Sequence, residues 1–223
     1  MVNHSLYWHL ATVAPPSNNG FPPPNQHRLV AIGTVTVKHL RSGPEVTLGG
    51  KMSGDASKIL QWFEREAKLA TEIVGIFSDN FGLPVLQSTW KRLTPSGTTE
   101  PDQRKNCVDL ARTARDIARM TQADVRPGQY LSFDNIATML GLPTRAPLDI
   151  AACCSSAQPN VRRRVVRKTI LDAVLIACID QHLHGLVQHN LPPDYLEDVE
   201  EAIIQATTQK MPKAAQRFFG GAG

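Results

Sequence analysis

The chain begins with stretches dominated by apolar and β-branched residues and continues with segments whose apolar residues recur at helical spacing. Residues 5–13 and 28–39 have the composition of strands. Residues 45–48 predict a short third strand, because a turn signal, Ser-Gly-Pro, comes just before them. The segment from residue 53 onward predicts a helix. This order indicates an antiparallel β-meander followed by helical structure.

The remainder of the chain predicts one more strand and a series of helices. Residues 72–77 form a short, nearly all-apolar run, which fits a buried strand that follows a crossover helix. Helices are predicted at residues 83–92, 108–120, 133–140, 161–185 and 195–208, and residues 143–160 are predicted to be rich in loops. Together these elements predict an α/β protein with a mixed β-sheet flanked by helices.

Composition favours one packed domain with short additions at its end. Hydrophobic residues make up 42% of the chain and charged residues 20%, which excludes global disorder. We expect residues 1–190 to form the main domain and residues 191–210 to form a helix packed on or beside it. The last segment, residues 211–223, is predicted to be a flexible tail.

Cysteine spacing and hydropathy bear on the cellular compartment. The four cysteines do not have the spacing of a disulfide framework, so we interpret them as reduced thiols. No apolar run approaches the roughly 20 residues that a transmembrane helix needs. The N-terminus lacks a basic segment followed by an apolar one, so no secretion signal is expected. These features predict a cytoplasmic protein without membrane contact.

Charge is distributed unevenly along the chain, although the net charge of +4 is small. A basic segment contains five cations and has no acid among residues 160–168; its cations are Arg162, Arg163, Arg164, Arg167 and Lys168. An acidic stretch follows at residues 194–201. Such runs are typical of solvated helix faces or of faces that pair with each other. A surface that binds phosphate groups is the alternative interpretation.

Two segments have a recognisable motif pattern. Residues 73–86 read I-V-G-I-F-S-D-N-F-G-L-P-V-L, and residues 131–143 read L-S-F-D-N-I-A-T-M-L-G-L-P. Both resemble signature segments of the DEDD 3′-5′ exonuclease superfamily, in the branch similar to the proofreading domain of family-B DNA polymerases. The resemblance extends from about residue 5 to about residue 200 and implies an RNase H-like, DnaQ-like fold.

The resemblance also implies where a metal site would lie. Enzymes of this superfamily hydrolyse phosphodiesters with two Mg²⁺ or Mn²⁺ ions, which are held by four acids from three motifs. Their first motif, F-D-I-E-T, aligns with residues 8–12, which read W-H-L-A-T. His9 then stands at the aspartate position and Ala11 at the glutamate position.

The second and third motifs are altered in the same way. Gly82 stands at the aspartate position of the second motif. In the third motif Thr169 replaces the last acid, and Val165 replaces the tyrosine or histidine that orients the attacking water. The resemblance therefore implies a degenerate site, with no catalytic residue and no metal cofactor expected.

These substitutions lead to the main functional hypothesis, a pseudo-exonuclease that binds single-stranded nucleic acid or a nucleotide. Fixed cations can bind phosphate without hydrolysing it, and the basic segment supplies them. Trp8 and Phe81 are candidates for stacking against bases, although aromatic residues at such positions often belong to the core.

Two alternatives remain open from the sequence. The chain could be an active exonuclease with relocated metal ligands, in which case Asp79, Asp109 and Asp172 are the acids expected to converge with Mg²⁺ or Mn²⁺. It could also be a protein-interaction module on the exonuclease fold, with a protein partner or a second copy of itself bound to an exposed apolar patch.

Overall fold

A computed structural model describes residues 3–15, 21–94, 107–120, 132–145, 147–187 and 193–220. The strands are β1 (Asn3–Val13), β2 (Arg28–Leu40), β3 (Gly43–Met52), β4 (Glu72–Gly75) and β5 (Cys107–Asp109). The helices are α1 (Ala56–Leu69), α2 (Leu83–Leu93), α3 (Leu110–Met120), α4 (Phe133–Met139), α5 (Ile150–Ser155), α6 (Pro159–Val187), α7 (Pro193–Lys210) and α8 (Pro212–Phe219).

The strands form a single five-stranded sheet in the order β3-β2-β1-β4-β5. β1 pairs antiparallel with β2, and β2 pairs antiparallel with β3, as expected for the predicted meander. β4 pairs parallel with β1 and β5 pairs parallel with β4. The predicted mixed sheet with flanking helices is confirmed, and the short strand β5 is an element that the sequence pattern did not separate from the helix after it.

The central strand β1 is covered on both faces. Leu6, Trp8 and Leu10 belong to an apolar cluster with residues of α1 and α2. Tyr7 and Ala11 point to the other face and pack against α6. Burial on both faces explains why β1 reads as an almost continuous apolar stretch and not as a clean alternation.

Helix α6 lies directly on the sheet because glycines in two strands leave room for it. A Cβ atom on Gly33 would be 2.2 Å from the backbone carbonyl carbon of Thr169, and a Cβ on Gly50 would be 2.8 Å from Cγ1 of Val166. No side chain fits at such distances, so β2 approaches the helix backbone closely and β3 packs against the side chains of Val166 and Ile170. Within the described part of the chain, no helix combines the length and apolarity needed to cross a bilayer.

The predicted boundaries of α4 are confirmed by its caps. The Ser132 side chain accepts a hydrogen bond from the backbone N–H of Asn135 at 3.1 Å. Gly141 follows the helix with a φ of 70°, a left-handed conformation that terminates helices. The predicted loop at residues 143–160 is partly wrong, since it contains α5, which Asp149 caps by accepting from Ala152 N at 2.9 Å.

The C-terminal segment differs from the predicted flexible tail. Residues 212–219 form α8, with Met211 only 8% exposed and Ala215 only 3% exposed. A helix of eight residues is too short to be stable alone, so it depends on packing against the rest of the domain. Local sequence pattern does not report such packing. Residues 221–223 lie outside the described residues.

Candidate functional site

A cavity of about 820 Å³ opens at the carboxyl ends of β1 and β4. The pairing of these strands runs from Ser5 to Tyr7, after which β4 ends and the chain turns away from β1. The cavity lies along the part of β1 beyond this point, a place where α/β sheets commonly bind ligands. Its described lining includes aromatic rings, two histidines, Arg145 and a run of prolines, and contains no aspartate or glutamate.

A strained turn after β4 shapes one wall of the cavity. Phe77 has a φ of 53° and a ψ of 26°, a left-handed conformation that is unusual for an aromatic residue. Its backbone N–H donates to Asp109 Oδ1 at 2.9 Å, and the same carboxylate accepts from the backbone N–H groups of Asp79 at 3.1 Å and Ala111 at 3.0 Å. One π-helical turn, Ser78–Gly82, then leads into α2.

Trp8 and Gly82 fit together at the floor of this cavity. The indole of Trp8 is 3% exposed and packs against Phe63, with ring centroids 5.1 Å apart. A Cβ atom on Gly82 would lie 2.7 Å from Trp8 Cη2, and one on Gly75 would lie 2.9 Å from Trp8 Nε1. The indole thus fills the space that a side chain at position 82 would need. Its Nε1–H has no hydrogen-bond partner among the described residues.

On the opposite face of β1, His9 meets a buried ion pair. Its Nδ1 lies 3.2 Å from Asp172 Oδ2, without the alignment of a hydrogen bond. Lys168 Nζ contacts both carboxylate oxygens of Asp172, at 2.8 and 3.0 Å. Burial lowers the pKa of His9 to about 4; the nearby Asp172 opposes this, while Arg145 and Lys168 add to it. The imidazole is therefore neutral at pH 7.

The other positions that the resemblance assigns to the site are packed as core. Ala11 is 2% exposed and Val165 0% exposed, and the two belong to one apolar cluster. Thr169 is 1% exposed, and its hydroxyl donates to the backbone carbonyl of Val166 at 2.9 Å. None of the three contributes to the described lining of the cavity. A charged side chain at any of these three positions would be buried away from solvent, which is unfavourable unless the charge is paired.

The residues present do not fit a two-metal centre. Mg²⁺ and Mn²⁺ require oxygen ligands, chiefly carboxylates, and the aligned positions offer none. Over the described ranges, no three His, Cys, Asp or Glu side chains gather where they could hold an ion. Asp79 pairs with Arg112 at 2.9 Å, Asp109 caps the turn and Asp172 binds Lys168. The three acids considered as relocated ligands thus have separate structural roles.

The mouth of the cavity carries an aromatic rim. Phe21 is 76% exposed, and its ring centroid lies 5.0 Å from that of His27 and 5.3 Å from that of Phe81. His27 and Phe81 meet edge to face at 4.8 Å. The buried His27 ring is fixed by Thr12 Oγ1 at 2.8 Å and by the Pro22 carbonyl at 3.0 Å. Phe81 was expected here, whereas Phe21 was not. The one feature of the sequence that could have indicated Phe21 is its position in a proline-rich loop.

Arg145 stands between this cavity and a second depression. It makes a two-pronged ion pair with Asp134, with both nitrogen–oxygen distances at 2.9 Å, and its guanidinium lies 4.4 Å from the centroid of Phe133. The hydrogen bonds from Arg145 lower the pKa of Asp134. Arg145 lines both depressions, which makes it the link between them. Nothing in the local sequence pattern pointed to it.

The second depression is a basic groove of about 510 Å³ between α6 and α8. Six cations line it, namely Arg145, Arg164, Arg167, Lys168, Lys213 and Arg217. Asp172 is the one acid in the described lining, and Lys168 already pairs with it. We call this depression the basic groove.

The predicted basic segment is therefore divided by the fold. Arg164, Arg167 and Lys168 face the basic groove, whereas Arg162 and Arg163 are exposed on α6 outside its described lining. We expected the whole segment to line the same cleft as the degenerate motif positions. The structure instead places Arg164, Arg167 and Lys168 in the neighbouring basic groove, and none of the five cations is in the described lining of that cleft.

Comparison with known proteins bears on the fold. No protein-family model matches the chain, and no curated protein matches it. Among solved structures, it is similar to the family B DNA polymerase from the hyperthermophilic archaeon Pyrobaculum calidifontis, at 16% identity and a TM-score of 0.51. The match covers 94% of this chain and 29% of the polymerase chain, so this chain spans less than a third of that protein. At this identity the likeness supports the RNase H-like α/β fold alone.

Proposed function

We propose that this chain is a DEDD-exonuclease-like domain that binds single-stranded nucleic acid and does not cleave it by the two-metal mechanism. One observation carries the proposal: the cavity lined by His9 and Gly82, two of the aligned motif positions, has an aromatic lining without a carboxylate among its described residues. A wall of this kind neither holds divalent metal nor repels phosphate. It offers flat faces to a base instead.

Stacking is the interaction that the cavity rim supplies. Phe21 is mostly exposed and its ring contacts those of Phe81 and His27, so it is available without a large rearrangement. Base–aromatic stacking contributes about 1–3 kcal/mol per base and tolerates different sequences. These features favour an unpaired strand over a duplex, whose bases are not available.

The proposed loss of cleavage is supported at three aligned positions, one from each motif. His9 is neutral, Gly82 has no space for a side chain, and Thr169 is buried with its hydroxyl bonded to backbone. One similar solved structure is that of a family B DNA polymerase. We infer that the fold has been kept while the metal ligands have been replaced.

Fluorescence anisotropy with a labelled single-stranded DNA oligonucleotide in EDTA tests binding. We expect saturable binding that weakens from low to physiological salt, because counterions are released from the strand. Phe21→Ala should weaken binding about tenfold, which corresponds to about 1.4 kcal/mol of lost stacking. Leu69→Ala is the matched control, because Leu69 is another exposed apolar residue, 71% exposed, on α1.

Incubation of the same oligonucleotide with Mg²⁺ and then with Mn²⁺ tests cleavage. The strand should remain full length on a denaturing gel. Shortening that EDTA abolishes would support an active exonuclease and contradict the proposal. Absence of binding at low salt would contradict it as well, and would move the interpretation to a protein partner or to self-association.

A further inference from the structure

The basic groove contains cations that the fold itself does not neutralise. Arg164, Arg167, Lys213 and Arg217 are exposed, and none of them forms an ion pair or side-chain hydrogen bond with another described residue. By contrast, Arg145 and Lys168 in the same groove are each bound to an aspartate. The four unpaired side chains are therefore available for an external anion.

We propose that the basic groove binds the phosphate backbone of the strand whose base occupies the aromatic cavity, with Lys213 and Arg217 of α8 as phosphate-binding residues. This inference rests on the proposed function and extends it. It extends the bound part of the strand from a base in the cavity to several nucleotides along the groove. It also assigns a role to a helix that the sequence predicted to be a flexible tail.

The two walls of the groove present their cations in a regular way. Arg164 and Arg167 are three residues apart on α6, and Lys213 and Arg217 are four residues apart on α8. Residues at these spacings lie on one face of a helix, so each wall directs two cations to the same side. Successive phosphates of an extended strand are the ligand that matches several cations along one groove.

Helix α8 is positioned firmly enough to form such a wall. Met211 and Ala215 are buried, and Phe218 packs against the core while also lining the groove. The Lys210 side chain donates a hydrogen bond to the backbone carbonyl of Leu48 on β3, just before α8 begins. The cations of α8 are thus attached to a helix with a fixed buried face.

Arg145 connects the groove with the cavity. It lines both depressions, and its ion pair with Asp134 holds the guanidinium at their junction. A strand that leaves the aromatic rim can therefore pass Arg145 and enter the groove without leaving the protein surface.

Like charges in one groove repel each other, which gives the proposal a second consequence. Four unpaired cations raise the free energy of the folded protein unless an anion or counterions screen them. Removal of two of them should leave the free energy of unfolding unchanged or slightly increased. A loss of strand binding in such a variant would then not come from misfolding.

Oligothymidine binding by the full chain tests the proposal, with a short strand of about 4 nucleotides and a long strand of about 16. We compare wild type, Lys213→Ala/Arg217→Ala, and Lys58→Ala/Arg65→Ala in fluorescence anisotropy at several salt concentrations. The last variant removes the same charge from exposed positions on α1, on the other side of the sheet.

The α8 variant should bind the long strand about tenfold more weakly than wild type. The slope of the logarithm of its binding constant against the logarithm of the salt concentration should be shallower by about 1.4, because two phosphate contacts are lost. Its affinity for the short strand and its thermal unfolding should match wild type. The α1 variant should behave like wild type throughout.

The outcomes separate the two proposals. If wild type binds the long strand and the α8 variant binds it as well as the α1 variant does, the groove proposal is overturned while the cavity proposal stands. If wild type binds neither strand at low salt, both are overturned. If the α8 substitutions weaken binding of the short strand as much as binding of the long strand, the proposal that a bound strand extends from the cavity into the groove is also contradicted.

Discussion

The indole of Trp8 occupies the space that a side chain at position 82 would require. A Cβ atom on Gly82 would lie 2.7 Å from Trp8 Cη2, closer than real Cβ contacts allow. The indole is held on its other side by Phe63, so it cannot move aside freely. The residue at position 82 and the size of the residue at position 8 are thus physically coupled.

Gly82→Asp should destabilise the protein by about 1–3 kcal/mol, because it forces atoms into a filled space. Trp8→Phe should relieve part of this cost, so the double variant is expected to be more stable than the sum of the single effects, by about 0.5–3 kcal/mol. Urea denaturation of the four proteins of this cycle measures the coupling.

Gly54→Asp is the control for that cycle. A Cβ atom on Gly54 meets nothing within 4 Å, and the residue is exposed, so the same substitution should cost less there. Strictly additive losses in the double variant would show that the indole and position 82 are not coupled.

The buried pair between Lys168 and Asp172 should contribute far more than an exposed pair of the same spacing. Lys168→Ala leaves Asp172, whose side chain is 6% exposed, without its main partner, at a cost of about 3 kcal/mol. Lys68 makes the same i,i+4 pair with Glu64 but is 71% exposed, so Lys68→Ala should cost less than about 0.5 kcal/mol. Chemical denaturation compares the two, and similar losses would contradict the role of burial.

His9 should make the protein less stable as the pH falls below neutral. Burial lowers its pKa from 6.5 to about 4, so between these values the unfolded chain binds a proton that the folded chain does not. The stability contributed by neutral His9 is complete above pH 6.5 and is lost as the pH falls through 4, up to about 3 kcal/mol in total. His9→Asn should flatten this part of the profile.

Free energies of unfolding of wild type and His9→Asn, measured from pH 7 to pH 4, provide the check. His4→Asn, on the same strand, serves as the control. Parallel profiles for wild type and His9→Asn would show that His9 stays solvated in the folded protein.

Asp109 should be required for the turn that carries Phe81 and Gly82. Its Oδ1 accepts from the backbone N–H groups of Phe77 and Ala111, and its Oδ2 accepts from that of Asp79. Asp109→Ala removes these three hydrogen bonds and should cost about 2–3 kcal/mol. Asp109→Asn can keep the Oδ1 acceptor and should cost less. Equal losses in thermal denaturation would argue against hydrogen bonding as the cause.

Local pattern predicted most of the fold. Strands β1 to β4 and the crossover helix α1 follow from apolar spacing. The bounds of helix α4 follow from the Ser132 side chain that caps it and from Gly141, which has a positive φ. The pattern did not predict three short elements, namely strand β5 and helices α5 and α8. Short elements form mainly through packing with distant parts of the chain, which local pattern does not report.

The candidate site was only partly accessible from the sequence. Motif resemblance directed attention to His9 and Gly82, which do line the cavity, and to Phe81 at its mouth. Phe21 and Arg145 carry no motif, and their importance comes from neighbours that are distant in sequence. The cations of α8, Lys213 and Arg217, also carry no motif. They form a basic groove only because α8 lies beside the cations of α6.

The α/β class, the order of the main elements and the residue types at the motif positions can be read from the amino-acid sequence, because apolar periodicity and residue type are local properties. Three features depend on the folded chain: which of these residues share a cavity, the filling of the space beside Gly82 by Trp8, and the meeting of the cations of α6 and α8 in one groove. Each of these features joins residues that are far apart in the sequence. Burial of the apolar core brings such residues together, and that burial depends on the whole chain.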